Sequence, residues 1–138
     1  MTLKVKVATG LYLVLLCGYA NAEWETFANT RNGMVYYDTD RVIQLPDKKT
    51  SVWMKFHIGQ AGVKDGLSFN SGFKRYDYSV ANEIFDCNAR KSRLVALQHY
   101  DNSEKPFLSY TYPLGETAFA NIIPDSLLDK LAQIVCRE

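Results

Sequence analysis

The chain has 138 residues, of which 47% are apolar and 22% charged, and a formal net charge of +1. That balance excludes the strong basic excess of a nucleic-acid binder. The length suits one domain with one modest core.

The first 22 residues read as a secretory leader. Lys4 and Lys6 stand without an acid, a short apolar run follows from Leu11 to Cys17, and Ala20-Asn21-Ala22 closes the stretch. A positive start, an apolar core and an A-x-A site are the marks of a signal peptide. The run is shorter than the roughly 20 residues that span a bilayer. Cleavage is expected between Ala22 and Glu23, leaving 23–138 as a single domain. Cys17 lies at the depth where bacterial lipoproteins are acylated, but Leu16 occupies the position that needs a small residue, so lipidation is not expected. Loss of the two leader lysines takes the net charge slightly below zero. No later segment is long and apolar enough to span a membrane.

"EWETFANTRNGMVYYD" reads as a β-hairpin, with Asn32-Gly33 as the pair preferred in a two-residue type I′ turn. "DTDRVIQLPDKKT" supplies a turn, a short strand at Arg41–Gln44 and a second turn at Pro46–Thr50. In "SVWMKFHI", Val52, Met54 and Phe56 alternate with Trp53, Lys55 and His57, a period of two that marks a strand. His57 reads as a rim residue of the second face. Four glycines break the pattern in residues 59–75, a connection long enough to be either a mobile surface loop or a binding loop.

"YDYSVANEIFDC" is ambiguous between a strand and a helical turn inside Tyr76–Asn82. Lys91–Tyr100 is a clearer strand, with Arg93, Val95, Leu97 and His99 on one side of it. "DNSEKP" makes a turn and "FLSYTYPL" an aromatic strand. Closely spaced strands with turns between them favour an antiparallel meander. The period then changes. Leu127, Leu128, Leu131, Ile134 and Val135 form one apolar stripe of a helix. Asp125 or Ser126 can cap its start, Ser126 and Asp129 approximate a capping box, and Arg137 suits its negative end. Such a helix needs a sheet to lie on.

Two cysteines, Cys87 and Cys136, remain after the leader. In an oxidising compartment an even pair has one intramolecular connectivity, so a disulfide is the expected form. A nucleophilic Cys87 would need a base, and only His57 and His99 are on offer without a motif that joins them to it. A zinc site lacks any C-x-x-C or H-x-x-x-H pair, so no metal is expected. The carboxylate pairs Asp38/Asp40 and Asp77/Glu83 belong to no catalytic motif. No catalytic residue and no cofactor are expected.

"VWMKF", "FDCNARKSRL" and "IIPDSLLDKLAQIVC", behind an "EW" and "YYD" start, resemble the surface-adhesin protein E family of Gram-negative bacteria. The resemblance runs over roughly Trp24 to Cys136. Its most specific parts are Asp86-Cys87 with the basic residues Arg90, Lys91 and Arg93, and the Pro124-x-Ser126 helix start. Asp125 stands where the family has glycine, and Phe119 where it has another aromatic. The resemblance implies an α+β fold, an antiparallel sheet with a C-terminal helix packed on it and a disulfide matching Cys87 and Cys136. It also implies a non-enzymatic envelope protein, periplasmic or on the outer surface, that binds host extracellular-matrix or other envelope proteins. The candidate partner surface is Arg90, Lys91 and Arg93 with Lys74, Arg75 and Trp53, since arginine and aromatics are favoured at recognition hot spots. The alternative reading of Arg90, Lys91 and Arg93 is a set of solvated charges that discourage edge-to-edge aggregation. A periplasmic small-molecule carrier or folding factor is the runner-up function.

Overall fold

A computed structural model describes residues 22–59, Gly62, 76–111 and 118–137. The leader through Asn21, with Cys17, and most of the glycine-rich connection, with Lys74 and Arg75, lie outside the described residues.

The fold is α+β: among the described residues, an antiparallel sheet with a C-terminal helix packed on it. Strands β1 (Trp24–Thr30), β2 (Gly33–Asp38), β4 (Lys49–Ile58), β5 (Tyr76–Asp86), β6 (Lys91–Asp101) and β7 (Pro106–Thr111) follow one another across the sheet. The short β3 (Ile43–Leu45) pairs with the start of β4, and β8 (Ala120–Asn121) with the start of β6. Helix α1 spans Leu127–Val135. Along the main path each strand pairs antiparallel with the one before it, as short hairpin turns favour at β1/β2, β5/β6 and β6/β7, while β4 and β5 are joined by the long 59–75 connection.

The first hairpin corrects its expected turn. Arg31 and Asn32 form the turn and Gly33 already belongs to β2, opposite Thr30. Positive φ falls on Gly33, at 155°, and not on Asn32, so the turn is not type I′. Glycine is required there, because a Cβ would lie 2.1 Å from the His57 carbonyl oxygen of the adjoining strand. The strand expected at Arg41–Gln44 begins two residues later, since Asp38 accepts the Asp40 amide and opens a 3-10 turn over Thr39–Arg41. Tyr76–Asn82 contains no helical turn and is strand throughout.

Directly paired residues share a face of a sheet, so the register sorts the side chains. Val52, Met54 and Phe85 lie on the face under α1, and Trp53, Lys55 and Ile84 on the opposite one. A bulge opposite Asn82/Glu83 shifts β6, which pairs Leu94 with Glu83 and Ala96 with Asn82. Strict alternation would have put Arg93 beside Leu97 and His99. The bulge sends it to the other face, opposite Ile84.

The core lies between α1 and the disulfide half of the sheet, where Val52, Phe85, Ile122, Leu131, Ala132 and Val135 are buried together. Each large side chain buried there contributes about 1.5–3 kcal/mol. Leu128 and Ile134 pack at its margin as the stripe implies, and Ala132 lies fully buried between the large residues. Ser126 caps the helix, accepting the Asp129 amide at 3.2 Å.

Candidate functional site

Cys87 is half of a clamp. Its sulfur is bonded to that of Cys136, with the two Cα atoms 5.6 Å apart. A thiolate role in catalysis or zinc binding is thereby closed to it. Three residues along the same turn, Arg90 takes positive φ, at 55°, and its Nη2 pairs with Asp129 Oδ1 at the other end of the helix. One four-residue turn, Cys87–Arg90, therefore holds both ends of α1. The Asp129 carboxyl is held below the usual carboxylate range, first by the amide of Asp125 at 2.9 Å and then by Arg90.

The expected capping box is altered in detail. Asp129 Oδ2 reaches the Asp125 amide, one residue before the cap. Asp125 itself sits at φ 63°, the left-handed region that favours glycine. That backbone suits the glycine that the resemblance implies at this position.

Of the six residues read from sequence as a partner surface, four are described; the register puts Trp53, Lys91 and Arg93 on the face opposite the helix, and Arg90 apart from them. Arg90 is tied to the helix, Lys91 is exposed at the start of β6, and Arg93 is buried at 6% exposure. Trp53 lies half-buried on the face opposite the helix, with the Arg41 guanidinium 5.9 Å above its ring. Lys74 and Arg75 are among the residues not described.

What the register does assemble is a face of rings and cations. The described strands carry four Lys and Arg residues, Lys49, Lys55, Lys91 and Arg93, and all four project to the face opposite α1. The acids Glu25 and Glu83 point to the helix side. Lys55 stands at the centre of the far face. Its Nζ lies 4.7 Å from the Tyr78 ring centroid and 5.8 Å from that of Trp24, within cation–π range of both. Tyr78 stacks on Tyr100 at 4.6 Å with the planes 9° apart, and His57 lies parallel to Tyr78 on its other side. The rings of β4, β5 and β6 thus stand as one cross-strand row beside Lys55. All but His57 are half-buried and partly open to solvent. His57 is exposed at the rim of this face as expected, 3.4 Å from Asp77.

Such a surface presents rings and cations suited to binding. The family comparison agrees. A family model described as surface-adhesin protein E matches residues 24–137. The chain belongs to the surface-adhesin protein E family. No curated protein and no solved structure shows significant similarity to it. Membership points to an exported, non-enzymatic protein of the adhesin kind, and the carboxylate pairs fit that reading. Both Asp38 oxygens are engaged, one by the Asp40 amide and one by Arg41. Asp77 and Glu83 are six positions apart on one extended strand, about 20 Å at the usual rise, too far to act together.

Two polar features of the helix side had no sequence signal, because they depend on cross-strand register. Ser79 Oγ lies 2.5 Å from Tyr76 Oη and 2.7 Å from His99 Nδ1, a part-buried chain of hydrogen bonds at the end of the sheet away from the disulfide. Burial holds the His99 ring below its ordinary pKa, which favours the neutral imidazole beside Ser79. Glu83 is buried at 5% exposure, and burial raises its carboxyl above the usual range against the opposing hydrogen bond from Ser92. Trp24, Tyr78 and Tyr100 of the far face were missed for the same reason. Only their strand periods were visible.

Proposed function

We propose that the chain is exported, loses its leader after Ala22, and works in the cell envelope as a protein-binding module without catalysis. The single observation that carries this reading is family membership over nearly the whole domain. The far face supports it, since Lys55 between two aromatic rings, with a third ring stacked behind, has the composition of a recognition hot spot. The contact surface is this face, with Trp53 of the original candidates on it and Lys91 at its edge. Host matrix proteins or other envelope proteins are its partners.

The test is cell fractionation with surface proteolysis of the expressed full chain, followed by intact-mass analysis. The expected product begins at Glu23, is cleaved by protease added to whole cells, and binds matrix or envelope proteins saturably. A strictly periplasmic product with no saturable protein partner overturns the reading.

A further inference from the structure

We infer that the partner segment received by the far face is acidic, and that one of its carboxylates seats on the Lys55 ammonium between Trp24 and Tyr78. This rests on the protein-binding reading above and goes beyond it by naming the partner's chemistry and the residue that reads it.

The argument begins with charge. Lys49, Lys55 and Lys91 stand on this face with the buried Arg93, whereas the acids of its strands, Asp38, Asp77 and Asp86, each have a partner. Asp38 pairs with Arg41 and Asp77 faces His57. Asp86 stands in the cross-strand row between Lys49 and Lys91 and accepts the Ala89 amide. Lys55 is different. Among the described residues it has no carboxylate partner, and its ammonium is held only by the two ring faces. A half-buried lysine in the middle of a sheet keeps a net positive field that aromatic quadrupoles soften but do not neutralise.

Geometry supplies the second half. The ring row His57–Tyr78–Tyr100 lies immediately beside the ammonium, and Tyr36 pairs with Lys55 from β2. A carboxylate on Lys55 would therefore be flanked by apolar ring surface that excludes water and strengthens the ion pair. Acidic residues set among apolar or aromatic neighbours match that arrangement, and a highly charged polymer without apolar groups does not. Lys49 and Lys91 extend the positive field toward the disulfide end, which steers an acidic segment to the face before it docks.

The test uses the folded mature chain with its disulfide intact. The probes are a random copolymer of glutamate and tyrosine, polyglutamate, and heparin, titrated at two salt concentrations against wild type, Lys55→Met, Lys55→Arg and the turn control Lys105→Met. The methionine keeps the apolar stem and removes the charge. The expected result is saturable copolymer binding in preference to polyglutamate and heparin, weakened about tenfold by Lys55→Met, largely kept by Lys55→Arg, and unchanged by Lys105→Met. Equal copolymer binding by Lys55→Met overturns the inference, and so does preference for heparin, which would make the partner a sulfated polysaccharide. Capture of matrix or envelope proteins equally by wild type and Lys55→Met overturns it too, while leaving the protein-binding reading intact. Absence of any protein capture by wild type removes that reading instead.

Discussion

Arg90 and Asp129 form an ion pair across 39 residues of chain, joining the turn after Cys87 to the first turn of the C-terminal helix. The disulfide ties the same turn to Cys136, the residue that caps the helix's C-terminal end. A nine-residue helix is too short to persist in water unaided, so these two ties and the apolar stripe give it its place.

The ion pair predicts an acid-sensitive helix. The lowered Asp129 pKa means its stabilising contribution is present above the ordinary carboxylate pKa and is lost as pH falls through the lowered value. Asp129→Asn should lower the melting temperature at pH 7, and the gap to wild type should close below about pH 4. Calorimetry from pH 3 to 8 checks this. A constant gap across the range would show that the carboxylate charge is not what matters.

Removing the disulfide should be costly and local. For a loop closed over 49 residues, the chain-entropy model gives about 4 kcal/mol. Cys87→Ala with Cys136→Ala should lose about that much in urea unfolding. Hydrogen exchange should then show α1 amides opening at lower free energy than those of β4, β5 and β6. Uniform loss of protection across sheet and helix would mean that the helix does not open separately.

Asp125 occupies a left-handed backbone position that an L side chain adopts at a cost of about 1–2 kcal/mol, eased for aspartate. Its amide, which caps Asp129, is common to all residues but proline. Asp125→Gly should therefore stabilise the domain by about 0.5–1 kcal/mol, read from the urea midpoint at constant slope. Destabilisation would point to an unrecognised role for the Asp125 carboxylate.

Glu83 titrates in the opposite sense to Asp129. Its pKa is raised by burial, so the native state keeps the proton to higher pH than the unfolded chain. The associated stability is fully present below the ordinary glutamate pKa and is lost as pH rises through the raised value. Glu83→Gln should be more stable than wild type at pH 8, by about 1 kcal/mol, and should differ little near pH 4. Equal stability at both pH values would show that water or a neighbour already relieves the buried charge.

Much of this molecule can be read from local pattern. The period of two in residues 51–58, the stripe from Leu127 to Val135 and the Ser126 cap depend on neighbours along the chain, and residue type alone specifies them. Family motifs added the identity of the fold. The tertiary structure decided three further things, each by bringing distant segments together. Strand register set Lys55 between Trp24 and Tyr78, and no local period encodes which residues of separate strands will face each other. The bulge at Asn82/Glu83 turned Arg93 away from the row in which alternation had put it, because one extra residue reverses every side chain beyond it. Finally, Arg90 lies near Lys91 in sequence, yet its positive φ and the helix packed above direct it to Asp129. A cation run that looks continuous along the chain is divided in space because side chains follow the backbone that carries them.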